Sequence, residues 1–106
     1  MIDLGPISEV PSGLMKRVDL EDRRLCLINI EDKVYVLDDR CSHADFSLSE
    51  GELDVQAKEV ECPKHGALFD VTNGEARCLP ATRPVKSYVV DVVDGRIMLE
   101  VESSDA

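Results

Sequence analysis

Both histidines of this chain follow a cysteine within three residues, as Cys41-Ser42-His43 and as Cys62-Pro63-Lys64-His65, with 18 residues between the two pairs. If the pairs serve one site, the fold must bring two short loops together and build the rest of the chain around that meeting. Each loop offers one soft sulfur and one borderline nitrogen, a donor mixture that can hold metal. A zinc finger usually groups its cysteines in one knuckle and its histidines in the other. A mixed pair in each loop suits a binuclear centre instead, with one metal taking both sulfurs and the other both nitrogens. A structural zinc and an incidental placement are the competing readings. The second asks a chain with only two histidines and four cysteines to have set both histidines beside cysteines by accident.

At these residues the chain resembles the Rieske iron–sulfur family, in which two histidines replace two cysteines on one iron of a 2Fe–2S cluster. It is most similar to the soluble Rieske ferredoxins that feed electrons to bacterial aromatic-ring dioxygenases. The stretch Cys62-Pro63-Lys64-His65-Gly66-Ala67-Leu68-Phe69-Asp70 resembles the family's second loop and the strand after it. Thr72-Asn73-Gly74-Glu75 is similar to its turn, and Pro80-Ala81-Thr82-Arg83-Pro84-Val85 to the proline-containing third loop that covers the cluster. The resemblance implies that Cys41 and Cys62 bind the inner iron, that His43 and His65 bind the outer one, and that Pro80 packs over the cluster.

Two departures place the chain within that family. The cytochrome-complex members add a cysteine to each ligand loop and join them by a disulfide; those positions here carry Phe46 and Lys64. High-potential members have a serine after the glycine of the second loop, where this chain has Ala67. Both point to the low-potential, dioxygenase-type branch.

At 106 residues the chain is expected to be a single domain spanning residues 1–106. A core of that size is modest, so a cluster tying two loops together adds materially to stability. No stretch reads as a signal peptide or as a membrane span, and a cytoplasmic protein is expected. The net charge of −10, from 22 acidic and 12 basic residues, makes nucleic acid and anionic membranes poor partners. Of the two remaining cysteines, Cys26 sits in a strand-like run where it shares a face with Ile28 and Ile30 and reads as a core thiol. Cys78 reads as a free thiol or a packing residue, and a Cys26–Cys78 disulfide is not expected in a reducing cytosol.

The pattern is all-β. Residues 25–30 and 34–37 read as strands around the turn Glu31-Asp32-Lys33, and residues 14–20 alternate weakly. Residues 85–93 and 97–101 flank Asp94-Gly95, a strong hairpin signal, and Asn73-Gly74 marks a turn after residues 68–71. No stretch carries an apolar repeat at helical spacing. The expected fold is a Rieske-like antiparallel β-sandwich or barrel with a small cluster-binding subdomain inserted at about residues 40–80. Residues 1–7 and 103–106 are expected to be loosely held.

The chemistry of the donor set explains a role. Two ferric ions, two sulfides and two thiolates sum to zero charge when the histidines are neutral, so adding an electron costs less than in a four-thiolate cluster. The resulting range is about −150 to +300 mV. Ala67 cannot donate a hydroxyl bond to a sulfide, and Asp45, Glu50, Glu52, Asp54, Glu59 and Glu61 lie between the motifs against Lys58 alone, so the low end of that range is expected. No histidine remains to act as a base, and no Gly-rich dinucleotide fingerprint is present. The implied role is that of a one-electron carrier rather than an enzyme. It is expected to be a monomer that takes electrons from an NAD(P)H-dependent flavoprotein reductase and passes them to a terminal oxygenase. The alternatives are a small Rieske-like subunit of a larger reductase, such as nitrite reductase, and a structural zinc module.

Ligand roles are open to direct measurement. Cys41→Ala, His43→Ala, Cys62→Ala and His65→Ala are each expected to lose most of their iron, whereas Cys26→Ser and Cys78→Ser keep it. Iron and acid-labile sulfide per chain, measured after anaerobic purification, decide the matter; a Cys41→Ala protein with its full complement overturns the assignment.

Overall fold

A computed structural model describes residues 2–20, 23–39, 47–63, 66–77 and 84–100. Among these the chain forms ten strands in three antiparallel sheets. The strands are β1 (Ile2–Pro6), β2 (Met15–Asp19), β3 (Arg24–Ile30), β4 (Lys33–Asp38), β5 (Glu52–Asp54), β6 (Glu59–Glu61), β7 (Leu68–Asp70), β8 (Ser87–Tyr88), β9 (Val90–Val93) and β10 (Arg96–Leu99). The central sheet runs β2-β3-β4-β8, a second runs β1-β10-β9, and the inserted segment supplies the third, β5-β6-β7. No described helix is long and apolar enough to cross a membrane.

The strand β3 organises these layers. Its residues from Leu25 to Ile30 are all buried, and successive side chains of a strand point to opposite faces. Leu25 and Leu27 enter one core with Leu4, Val34, Val36, Ile97 and Leu99, which joins the central sheet to the β1-β10-β9 sheet. Cys26, Ile28 and Ile30 enter a second core with Leu37, Leu48, Val60, Cys62, Ala67, Phe69 and Val85. The second core joins the same sheet to the inserted one. The Cys26 thiol is fully buried, as its place in the strand predicts.

Turn chemistry sets the register. Glu31 and Asp32 both take positive φ between Ile30 and its partner Lys33, the geometry of a two-residue hairpin loop. Neither is glycine, and side chains support the strain: Asp32 N–H donates to Asn29 Oδ1 at 2.9 Å and Glu31 N–H to Ser12 Oγ at 3.0 Å. Asp94-Gly95 makes the corresponding loop between Val93 and Arg96.

Two expectations are corrected. The start of the chain is not loose: Ile2–Pro6 pairs with β10, Leu4 is buried, and Asp3 Oδ2 accepts from Arg96 Nε at 2.6 Å. Residues 85–93 are not one strand. The chain pairs with β4 at Ser87 and Tyr88, then leaves the central sheet at Val89 and pairs with β10 from Val90 onward. Tyr88 anchors the crossing, with its hydroxyl donating to Asp38 Oδ1 at 2.5 Å.

Two glycines place the inserted sheet. Gly51 follows the 3-10 turn Leu48–Glu50, and a Cβ built on it lies 1.7 Å from the backbone oxygen of Glu61. The exit of the first loop is therefore pressed against the residue that precedes Cys62, at a distance only glycine permits. Gly74 takes φ +80°, and a Cβ there lies 2.1 Å from the Val85 carbonyl oxygen. The Val85 N–H donates to the Gly74 carbonyl at 2.9 Å.

Gly51→Ala is expected to force the two loops apart, costing about 1–3 kcal/mol or more and several-fold in retained iron. Urea unfolding and iron per chain measure the two effects. Wild-type values for both would show that the contact carries no weight.

Candidate metal centre

Cys62 lies one residue beyond β6, at 1% exposure, with its side chain in the core shared by Cys26, Leu48, Val60, Ala67 and Phe69. Its backbone is fixed on both sides. Cys62 N–H donates to the Ala67 carbonyl at 2.8 Å, and Gly66 N–H donates to the Cys62 carbonyl at 3.2 Å. These bonds extend the β6–β7 ladder past its last strand pair, Glu61 with Leu68, and bring Cys62 and Ala67 together. A sulfur held rigidly at an apolar wall suits a thiolate–iron bond shielded from water. Ala67 is fully buried in the same wall and presents a methyl group there.

Cys41, His43, His65 and Pro80 lie outside the described residues, as do Phe46, Lys64 and Cys78. Their flanks are described, and the flanks converge. Residues 40–46, which include Cys41 and His43, are flanked by Asp39 just after β4 and by Ser47, whose neighbour Leu48 sits in the core with Cys62. Asp39 Oδ1 accepts from Ser49 N–H at 2.6 Å and Oδ2 from Ser49 Oγ at 2.8 Å, tying the two flanks together. The segment bearing Pro80 is tied to the β7 hairpin at both ends. Arg77 N–H donates to the Leu68 carbonyl at 2.7 Å, and Val85 N–H to that of Gly74.

The electrostatics are acidic and partly compensated. Glu52 pairs directly with Glu61 and Asp54 with Glu59, and like charges directly opposite each other destabilise a sheet. These four carboxylates line a groove of about 420 Å³ with Leu53, Val55, Gln56 and Leu68. Behind the Cys62 hairpin, Asp70 is buried and fully bonded. Its Oδ1 accepts from Thr72 N–H at 2.8 Å and Thr72 Oγ1 at 2.6 Å, and its Oδ2 accepts from Arg77 Nη2. Burial pushes the Asp70 carboxyl up, but the bonds from Thr72 and Arg77 outweigh it and hold the group below its ordinary value. Arg77 also stands 3.7 Å from Glu59. At Cys26, burial first and the Asp39 charge second push the thiol far up, which makes it inert beside the site.

Sequence reasoning missed Gly51, Asp39, Ser49 and the Asp70–Arg77 pair. The run Leu48-Ser49-Glu50-Gly51 carried a turn signal, but not what the glycine touches.

The Rieske [2Fe-2S] domain model matches residues 1–89. The chain belongs to that family. It is 42% identical over 96 residues to the 3-phenylpropionate/cinnamic acid dioxygenase ferredoxin subunit of Escherichia coli, covering 91% of this chain and 89% of that one. Its fold superimposes on the ferredoxin of carbazole 1,9a-dioxygenase from Nocardioides aromaticivorans with a TM-score of 0.91 at 28% identity, over 95% and 97% of the two chains. A chain from a complex of reduced oxygenase and oxidized ferredoxin in carbazole 1,9a-dioxygenase matches at 0.86 and 30%, over 95% and 96%. As a Rieske ferredoxin the chain holds one 2Fe–2S cluster and carries electrons rather than catalysing a reaction, which sets the zinc alternative aside. The buried sulfur, the tight Cys62–Ala67 loop and the converging flanks fit such a cluster.

Asp70 gives the site a measurable pH dependence. Its folded value is lowered from the ordinary 3.8, so its stabilisation is complete above about pH 4 and is lost as pH falls through the folded value. Asp70→Asn is expected to cost about 1–3 kcal/mol at neutral pH, and the gap from wild type to narrow below about pH 4. Denaturant titrations at several pH values check it; a gap that stays constant through pH 3 refutes the linkage.

Proposed function

We propose that this protein is the mobile electron carrier of a bacterial aromatic-ring dioxygenase system. It takes electrons from an NAD(P)H-dependent flavoprotein reductase and delivers them singly to a terminal oxygenase, as a cytoplasmic, single-domain monomer. Cys41 and Cys62 hold the inner iron, His43 and His65 the outer iron, and Pro80 packs over the cluster. The observation that carries this reading is the convergence on Cys62. One loop is pressed to it through Gly51, a second is closed around it by its own backbone bonds, and a third segment is tied to the same hairpin. The relatives named as ferredoxin components of dioxygenase systems supply the partner class.

A cluster held by these residues would supply one-electron transfer. The chain's own residues do the rest. The apolar wall of Leu48, Val60, Ala67 and Phe69 keeps water from the Cys62 sulfur. Ala67 withholds a hydrogen bond that would raise the potential. The carboxylates of β5 and β6 add negative charge near the site and present it to a partner. Like-charge register pairs lower stability in the free protein, and a basic partner surface relieves them on docking. The acidic face then works as a guide for encounter, effective over about a Debye length.

Stopped-flow reduction by a cognate reductase is expected to slow several-fold as ionic strength rises from about 20 to about 200 mM. Lys64→Glu is expected to change that rate without altering the visible spectrum. A salt-independent rate removes the steering role alone. Failure to support turnover in a reconstituted reductase–ferredoxin–oxygenase mixture, together with stable co-purification with a large reductase chain, replaces the dioxygenase role with that of an enzyme subunit.

A further inference from the structure

Glu59 of β6 and Asp70 of β7 face each other in register. Val60 and Phe69, the next residues inward along the ladder, enter the core, so both carboxylates lie on the opposite face of the sheet. Asp54 of β5 pairs with Glu59 from its other side, which sets three acidic residues in one cross-strand row. Like charges directly opposite each other destabilise a sheet. This row crosses the two strands that hold Cys62. Glu59 is three residues before Cys62 and Asp70 three residues after Ala67, and Cys62 N–H donates to the Ala67 carbonyl at 2.8 Å. Splaying of β6 from β7 at the row would reach Cys62 through the two register pairs between, Val60 with Phe69 and Glu61 with Leu68.

Arg77 spans that row. Its backbone runs beside β7: Ala76 bridges to Phe69, Arg77 N–H donates to the Leu68 carbonyl at 2.7 Å, and Asp70 N–H donates to the Glu75 carbonyl at 2.8 Å. Its Nη2 donates to Asp70 Oδ2, and its Nη1 forms an ion pair with Glu59 Oε2 at 3.7 Å. Freely exposed ion pairs contribute little. Here the arginine is half-exposed, but the two carboxylates it joins are only 7% and 18% exposed. The planar fork of an arginine can reach two carboxylates on neighbouring strands at once, which the point charge of a lysine does less well.

We infer that Arg77 is a positioning residue for Cys62: by bridging Glu59 and Asp70 it holds β6 and β7 in register against the repulsion of their facing carboxylates, and so fixes the place of the sulfur at the end of that ladder. This rests on the reading of Cys62 as a ligand. Arg77 acts through the two strands, and no bond forms or breaks at it during electron transfer.

The test compares Arg77→Met, Arg77→Lys, Glu59→Gln and the double variant Arg77→Met with Glu59→Gln against wild type, all as the cluster-loaded full chain. The readouts are the rate of iron loss to a chelator and the electron paramagnetic resonance g-values of the reduced form. Arg77→Met keeps an apolar stem but loses the fork and its charge; it is expected to lose iron several-fold faster, with shifted or broadened g-values. Arg77→Lys should lie between Arg77→Met and wild type. Glu59→Gln alone should stay close to wild type. In the double variant one of the two facing charges is gone, so iron loss and g-values should move back toward wild type, a coupling that the four-protein cycle isolates. Wild-type iron loss and g-values in Arg77→Met overturn the inference. Faster iron loss with unaltered g-values marks general destabilisation and overturns the positioning role, and a double variant as impaired as Arg77→Met overturns the bridging of the two carboxylates. Should Arg77→Met fail to load, the bridge requires that Arg77→Lys and the double variant both retain more iron than it does; equal failure in all three overturns it. Cys62→Ala separates this inference from its premise. Full iron in that variant defeats the ligand assignment, whereas iron loss there beside wild-type behaviour in the Arg77 variants defeats only this inference.

Discussion

Alternate residues of β3 belong to different cores, and the placement of the site depends on that division. Leu25 and Leu27 hold the outer sheet of β1, β10 and β9. Cys26, Ile28 and Ile30 hold the inserted sheet and, through it, Cys62. A one-residue slip of β3 against β4 would send each set to the wrong side. The two-residue loop at Glu31 and Asp32 prevents the slip, and Asn29 secures it. Asn29 is buried, and its side chain donates to the Val10 carbonyl at 2.6 Å while accepting from Asp32 N–H. The placement of Cys62 is thus inherited in part from the hairpin that joins β3 and β4.

The parts of this fold that could be read in the sequence are those whose signal is local. Period-two runs at β3 and β4 and the Asp94-Gly95 turn state their role within a few residues. Three features lacked such a signal. β5 and β6 are three residues each, and four of their six side chains are carboxylates, so no propensity marks them; they exist because Leu53 and Val60 have a core to enter. The strand at Ile2–Pro6 contains a glycine and a proline, which weaken a strand prediction, and it is held by Leu4 and by an ion pair to Arg96, distant in sequence. The change of sheet at Val89 carries no local signal, because Tyr88-Val89-Val90 is continuously apolar with no glycine, proline or turn residue to divide it. Of the site, the proposed ligands come from type and spacing, and Cys62 alone of them lies among the described residues. The residues that hold the loops were not legible: Gly51, Asp39 and Ser49 act through partners about ten residues away, and nothing in their immediate sequence names those partners.

Charge is distributed unevenly around Cys62. Between β5 and β6 the inserted sheet carries two like-charge pairs, Glu52 with Glu61 and Asp54 with Glu59, the second partly relieved by Arg77, while Asp70 of the same sheet and Asp39 at the end of β4 are buried and hydrogen-bonded at both oxygens. Salt screens the first set more than the second.

The segment between Arg77 and Val85 begins and ends on the same hairpin, with Leu68 receiving one end and Gly74 the other. Because both attachments are backbone hydrogen bonds, they ask nothing of the side chains between them. The separation of Arg77 from Val85 is thus a property of the hairpin's backbone, and a substitution at Leu68 or Gly74 acts on it only by moving that backbone.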